Sequence, residues 1–237
     1  MDMTPDRWNA TCRYLQQTFG QPGDDAAGAV LADHAPRARE AGLPDIAVTA
    51  EVGRFLALLT RLVTQTSDAT RRVLEVGTLG GYSGLWIARA LPPDARLTTV
   101  EIDDRHADFA QRQFNDAGLA ERVTIERGPA LKVLPRLAQQ WGADSLDMVF
   151  LDADKREYPA MLEIVRPLIR VGGIIAADNA LGSGSWWVTE PEGSLDEGRE
   201  ASRSAAATFN RIMAADPAWE SACVPLREGV LAAVRMH

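Results

Sequence analysis

The chain has 237 residues, 46% of them hydrophobic and 24% charged, with a formal net charge of −8. That length and composition describe an ordinary globular chain with ample core material, most simply one domain over residues 1–237, and the acidic balance argues against a surface built to neutralise nucleic-acid phosphates. Two widely separated cysteines, Cys12 and Cys223, stand in no metal-binding spacing and read as free thiols in a reducing compartment, while no apolar run approaches the roughly 20 residues that span a bilayer.

The first residues carry no basic region followed by an apolar run, so no export signal is expected and the cytoplasm is the default. Residues 1–70 read as helical. Trp8, Cys12, Tyr14, Leu15 and Phe19 recur at near-helical spacing until the Gly-Gln-Pro-Gly stop at 20–23, and 24–41 is a second helix ended by Gly42 and Pro44. A third begins near Thr49 and places Val52, Phe55, Leu56, Leu59, Leu62 and Val63 on one face. From Val73 the pattern alternates, with strands at 73–76, 97–102, 123–126, 148–151 and 174–177 and helices at 83–91, 105–117, 130–140 and 158–169. Several of these strands are unbroken apolar runs, the mark of a parallel sheet covered on both faces. A polar loop at 182–198 leads to a helix near 200–215. Strands at 220–225 and 230–235, joined by the short connection 226–229, then form an antiparallel hairpin.

Between the first strand and its helix lies Glu75-Val-Gly77-Thr78-Leu-Gly80-Gly81-Tyr-Ser83. Strand, tight turn and helix start together present backbone N–H groups to a ligand, and the glycines permit close approach and positive φ. Such a loop serves nucleotides, dinucleotides and other adenosine cofactors alike. Glu101 ends the second strand, where an acid can accept hydrogen bonds from both hydroxyls of an adenosine ribose, and Asp103 or Asp104 caps the helix that follows. Asp152 and Asp178 each end an apolar strand, on the side where open α/β sheets bind ligands. With Asn179 they offer hard oxygen donors suited to Mg²⁺, Mn²⁺ or Ca²⁺, and they lack the His and Cys that favour zinc. Lys155 stands out because only it and Lys132 are lysines among the 25 basic residues. A partly desolvated lysine can release its proton, whereas arginine cannot. His34, His106 and His237 are scattered and read as having no chemical role.

Taken together, Leu74–Ser83, Glu101, Gly128-Pro-Ala130, Leu151-Asp-Ala-Asp-Lys155 with Tyr158, and Gly172-Gly173 leading to Asp178-Asn179 resemble the small-molecule, metal-dependent O-methyltransferases, the group of catechol and caffeoyl-CoA O-methyltransferases. The likeness runs from about residue 44 to the end. It implies an α/β, Rossmann-like class I methyltransferase fold: a mostly parallel seven-stranded sheet, a C-terminal antiparallel hairpin, N-terminal cap helices over 1–48 and a catalytic core over 49–237. It implies S-adenosylmethionine as cofactor, surrounded by Val48 (or Thr49), Glu75, Gly77, Thr78, Ser83, Glu101, Ala130, Asp152 and Asp154. Asp152, Asp178 and Asn179 match the family's divalent-metal ligands, Lys155 matches its proposed base, and Lys155 and Asp152 are the catalytic residues implied. A homodimer whose N-terminal segment helps cover the active site is also implied. The reaction then expected is methylation of one hydroxyl of a catechol-like small molecule, whose acidity a Mg²⁺, Mn²⁺ or Ca²⁺ ion would raise.

Two places depart from that resemblance. Gly182 stands where many relatives carry Trp, with Trp186 and Trp187 shortly after, placed either to wall the acceptor pocket or to pack beneath the loop. Arg227-Glu228-Gly229 replaces a common Gly-Asp-Gly in the hairpin turn. A nicotinamide-dependent oxidoreductase on the same glycine loop and a cofactor-binding protein without catalysis are the alternative readings.

Overall fold

A computed structural model describes residues 4–65 and 71–237. The helical reading of 1–70 extends over 1–3 and 66–70, which lie outside the described residues. Three helices come first: α1 (Pro5–Phe19), α2 (Ala26–Glu40) and α3 (Ala50–Gln65). Two have side-chain caps: Thr4 accepts from the Arg7 N–H, and Asp25 Oδ1 accepts from the Gly28 N–H at 2.7 Å. No helix among the described residues is long and apolar enough to cross a membrane.

The alternation follows as β1 (Arg72–Val76), α4 (Tyr82–Ala90), β2 (Arg96–Glu101), α5 (Asp104–Asp116), β3 (Val123–Arg127), α6 (Ala130–Trp141), β4 (Leu146–Leu151), α7 (Tyr158–Val165) and β5 (Ile169–Ala177). Then come the two-residue strands β6 (Gly182–Ser183) and β7 (Trp186–Trp187), α8 (Glu197–Ala215), β8 (Trp219–Val224) and β9 (Val230–Arg235). The main sheet has seven strands in the order β3-β2-β1-β4-β5-β9-β8. β9 pairs antiparallel with both β5 and β8, and the other pairs are parallel. Chain order reverses at β1, which has β2 on one side and β4 on the other. The carboxyl ends of those strands therefore open a crevice.

Residues along each central strand alternate between two cores. Val73, Leu97, Met148, Phe150, Ile174 and Ala176 face the side packed by α2 to α5. Leu74, Val76, Val149, Leu151, Ile175 and Ala177 face α6, α7 and α8. This is why the sequence shows runs rather than alternation. A carboxylate near the start of β4 is also buried: Asp147 is 1% exposed, and it accepts from the Arg72 backbone N–H and from Arg170 Nε, each at 2.8 Å. The pairing satisfies a buried carboxylate that would otherwise be strongly unfavourable.

Beyond shifts of one to three residues at element ends, three places differ from the sequence reading. The helix expected to run to residue 169 stops at Val165 and continues as a 3₁₀ turn, Arg166–Leu168, since Pro167 has no N–H to carry the i→i−4 ladder onward. β5 begins at Ile169, ahead of Gly172-Gly173, so the glycines lie inside the strand. The polar loop contains the small β6–β7 hairpin.

Candidate active site

The crevice at the carboxyl ends of β1, β2, β4 and β5 is a cavity of about 850 Å³. Val48, Thr49, Gly77, Thr78, Ser83, Glu101, Ala130, Asp152, Asp154, Lys155, Asp178 and Asn179 all line it. Of the residues matched to the cofactor, the metal and the base, only Glu75 is missing from this wall.

Glu75 lies behind the wall and is completely buried. On β1 its side chain points opposite to Leu74 and Val76, toward α4. Its Oε1 accepts from Ser83 Oγ at 2.6 Å and its Oε2 from Thr99 Oγ1 at 2.7 Å. Thr99 Oγ1 in turn lies 2.6 Å from Thr78 Oγ1. Glu75 thus fixes two wall residues, Ser83 directly and Thr78 through Thr99. Burial pushes its carboxyl up to about 7, against the two hydroxyl hydrogen bonds, from an ordinary 4.5.

That shift gives a testable pH dependence. Between about 4.5 and 7 the folded chain keeps a proton that the unfolded chain has lost, so this group's contribution to stability falls as pH rises through the window. At about 1.4 kcal/mol per pH unit, the fall amounts to roughly 3 kcal/mol. Urea unfolding of cofactor-free protein at pH 5 and pH 8 should show wild type losing about that much relative to Glu75→Gln. A pH-independent difference between the two proteins would remove the argument.

The turn after β1 is held from several directions. Gly77 has φ 102°, and its N–H donates to the Val100 carbonyl. Leu79, also left-handed at φ 47°, donates its N–H to Glu101 Oε2 at 2.7 Å. The buried His34 of α2 sits with Nε2 2.8 Å from the Gly80 carbonyl oxygen. Burial lowers the pKa of His34, favouring a neutral ring that latches α2 to the glycine turn. α4 then starts at Tyr82, with Gly81 as its N-cap at φ 83°.

Glu101 holds both ends of its surroundings: Oε2 takes the Leu79 N–H and Oε1 takes the Asp103 N–H at 2.9 Å. Asp103 is the residue that caps α5, accepting from the Arg105 N–H. His106, one turn into α5, lies on the cavity wall with Nδ1 3.6 Å from Glu101 Oε1. The sequence reading gave it no role. Ile102 is 70% exposed although apolar, and it lines the same end as Pro129 and Ala130. Such an apolar shelf beside the Glu101 carboxylate suits a flat ring.

At the other end β4 and β5 run side by side, with Leu151 opposite Ala177, so the residues that follow them, Asp152 and Asp178, emerge together. Lys155 Nζ donates to Asp152 Oδ1 at 2.8 Å and lies 5.2 Å from the Tyr158 ring centroid. Burial alone would lower the Lys155 pKa, but the Asp152 carboxylate and Tyr158 outweigh it and raise it above the ordinary value. With Asp152 beside it, the Lys155 ammonium is favoured over the neutral amine. Asp178 is shifted upward, first by burial and then by the Asp152 charge. Asn179 takes left-handed backbone, φ 56°, which Asn tolerates better than most residues. The buried Tyr158 hydroxyl donates to the Leu151 carbonyl at 2.8 Å and lies 3.3 Å from that of Asp178, tying the two strand ends together. Asp154 caps the 3₁₀ turn Lys155–Glu157. It pairs with Arg156, whose hydrogen bonds lower its pKa.

Neither tryptophan of the loop lines the cavity. Trp186 is buried, and the Trp187 ring covers Gly182, where an added Cβ would lie 2.7 Å from Trp187 Cδ2. They pack the loop, and Ser183 and Gly184 form the wall there instead. Arg227 and Glu228 of the β8–β9 turn complete this end. No group of three or more His, Cys, Asp or Glu side chains gathers among the described residues as a metal site. Any metal here would take Asp152, Asp178 and the Asn179 carboxamide.

Comparison with known proteins agrees with this geometry. The profile of a family described as O-methyltransferase matches residues 29–236. A catechol O-methyltransferase of Niastella koreensis is 40% identical over 180 residues, covering 76% of this chain and 75% of the relative. One from Mycobacterium tuberculosis is 37% identical over 202 residues, covering 85% and 83%. The crystal structure of the O-methyltransferase TomG from Streptomyces achromogenes, involved in tomaymycin synthesis and in complex with S-adenosylmethionine, superposes with a TM-score of 0.81. It is 33% identical over the whole of both chains. An oxidoreductase built on the same loop is thereby set aside, and the chain belongs to the O-methyltransferase family.

Proposed function

We propose that the protein transfers a methyl group from S-adenosylmethionine to one hydroxyl of a catechol-like acceptor held by a divalent cation, Mg²⁺ first among those expected. The observation that carries this reading is the pair Asp152 and Asp178, two carboxylates at adjacent strand ends, with the Lys155 ammonium bonded to Asp152. Burial first, and then the Asp152 charge, shift Asp178 upward, and two such carboxylates beside the Asn179 carboxamide fit a cation-binding donor set. Two of the relatives are named catechol O-methyltransferases, which supports the same acceptor class.

S-adenosylmethionine would supply an already activated sulfonium methyl, and its adenosine end suits Glu101, Ile102 and Ala130. Gly77, Ser83, Val48 and Asp152 would surround the remainder, with Glu75 holding Ser83 in place. A divalent cation on Asp152, Asp178 and Asn179 would orient vicinal hydroxyls and lower the pKa of one. Lys155 stands beside that position. Its raised pKa rests on the undivided charge of Asp152, so it serves as proton acceptor when that charge is shared, and as hydrogen-bond donor otherwise. The proposal includes a homodimer, carried by family resemblance, and a cytoplasmic setting, in keeping with the free thiols of Cys12 and Cys223.

The direct test is methyl transfer to catechol in Mg²⁺ and in EDTA. Chelation should slow it by roughly 10²-fold or more. An equal rate in EDTA would refute the cation role while leaving the cofactor reading intact.

A further inference from the structure

The turn between β8 and β9 carries an arginine where the backbone asks for glycine. Gly229 N–H donates to the Leu226 carbonyl at 2.8 Å, so Arg227 and Glu228 are the two central residues of a tight hairpin turn. Arg227 has φ 50°, a conformation that costs a non-glycine residue about 1 kcal/mol or more. Strain kept at one position of a cavity wall calls for a reason in the side chain.

The turn also sits where an acceptor would. The Ala180 N–H donates to the Gly229 carbonyl at 2.9 Å and the Leu181 N–H to that of Glu228 at 2.8 Å. These bonds clamp the turn onto the loop immediately after Asp178-Asn179. In a chain with 23 arginines, Arg227 is the only one, among the described residues, on the wall of the cavity. Lys155, the other strongly basic wall residue, is already bonded to Asp152. Arg227 Nε donates to Glu228 Oε2 at 3.3 Å, and its two Nη groups make no further ion pair among the described residues. Glu228 thus holds the guanidinium from one edge and leaves the forked edge available. That edge matches a carboxylate in geometry and charge.

We propose that Arg227 is a specificity residue that pairs with an anionic substituent, a carboxylate, on the acceptor ring. The proposal rests on the vicinal-hydroxyl reading above and narrows it to acidic acceptors. Nearby Ser183 and Gly184 are small, and an added Cβ at Gly184 would meet nothing within 4 Å, so the wall beside the turn has room for a ring substituent.

The test compares 3,4-dihydroxybenzoate, catechol and 4-(2-aminoethyl)catechol as acceptors with the intact enzyme, S-adenosylmethionine and Mg²⁺. Calorimetric binding of the same three compounds in the presence of S-adenosylhomocysteine gives a readout separate from turnover. Wild type should favour the carboxylate over catechol by about tenfold, through KM and through Kd, the usual worth of one charge-assisted forked pair. Arg227→Gly should bring that ratio to about 1. It should also raise the Tm, because glycine suits φ 50°, so the lost preference would not reflect misfolding. Arg227→Lys should keep part of the ratio. Equal handling of catechol and its carboxylate by wild type overturns the assignment, as does preference for the amine. Carboxylate-dependent binding without methylation of any catechol would uphold Arg227 and sink the vicinal-hydroxyl reading instead.

Discussion

Gly77→Ala is expected to abolish cofactor binding at ordinary concentrations. Two independent costs fall on this position. At φ 102° the residue lies outside the conformations open to an L side chain. A Cβ there would also collide with the Asp152 carbonyl oxygen and come within 2.7 Å of its carbonyl carbon. The Gly77 N–H bonds the end of β2, and the Asp152 N–H bonds the Val76 carbonyl at 2.8 Å, so neither strand end can retreat without breaking a ladder. Strain and overpacking together amount to about 4 kcal/mol. Any relief would have to push the ends of β1 and β4 apart, and Gly77, Asp152 and Asp154 at those ends line the cavity. Calorimetry should show affinity for S-adenosylmethionine reduced by at least roughly 10²-fold, and urea unfolding should show a protein less stable by about 3 kcal/mol. Near-normal affinity in a folded Gly77→Ala protein would mean that the cofactor does not depend on the approach of these two strand ends.

Much of this arrangement is legible in the sequence because each central strand is an apolar run that ends in a polar residue. Val76, Glu101, Leu151 and Ala177 end their strands, and reading the residues at and after those ends gives Gly77, Glu101, Asp152 and Asp178 as one cluster. What the sequence obscures is direction and partnership. Glu75 belongs to the glycine motif, but strand parity turns it away from the cavity, so its part is to hold Ser83 and Thr99. A parity count from Val76 would have shown this. Lys155 reads as a desolvated base, and only the fold shows that three residues suffice to bring its ammonium back onto Asp152. His106 and Arg227 reach the cavity from α5 and from the β8–β9 turn. Helical counting from the Asp103 cap would have found the first. The second depends on the hairpin docking against the 178–181 loop, a long-range pairing that no local pattern announces. The tryptophans after Gly182 were evenly balanced between two roles, and the β6–β7 hairpin turns them into loop packing.

Asp152→Ala is expected to remove nearly all methyl transfer, lowering kcat/KM by about 10³-fold. Its carboxylate has three connections: the salt bridge to Lys155 at 2.8 Å, the charge that shifts Asp178 upward, and a position among the proposed cation ligands. Loss of activity alone would not separate them, because the Lys155 side chain is only 12% exposed and an ammonium left there without its counter-charge destabilises the fold by about 2 to 3 kcal/mol. A double-mutant cycle with Lys155→Met separates the effects. If the salt bridge matters mainly as a buried pair, Asp152→Ala/Lys155→Met should regain most of the stability lost by Asp152→Ala, since no unpaired charge remains. Activity should stay at the level of the single variant, because neither the carboxylate toward the cation nor the amine toward the proton has been restored. Mg²⁺ should then give the variants no thermal stabilisation in the presence of S-adenosylhomocysteine and catechol, while raising the Tm of wild type under the same conditions. Recovery of methyl transfer in the double variant would reduce Asp152 to a counter-ion for Lys155 and move the cation, if one acts, to other ligands. The paired readouts matter because the same 2.8 Å contact both stabilises the resting site and keeps Lys155 protonated. In the reaction proposed here that contact must give way, so Asp152 is central to activity and its pairing with Lys155 belongs to the resting state.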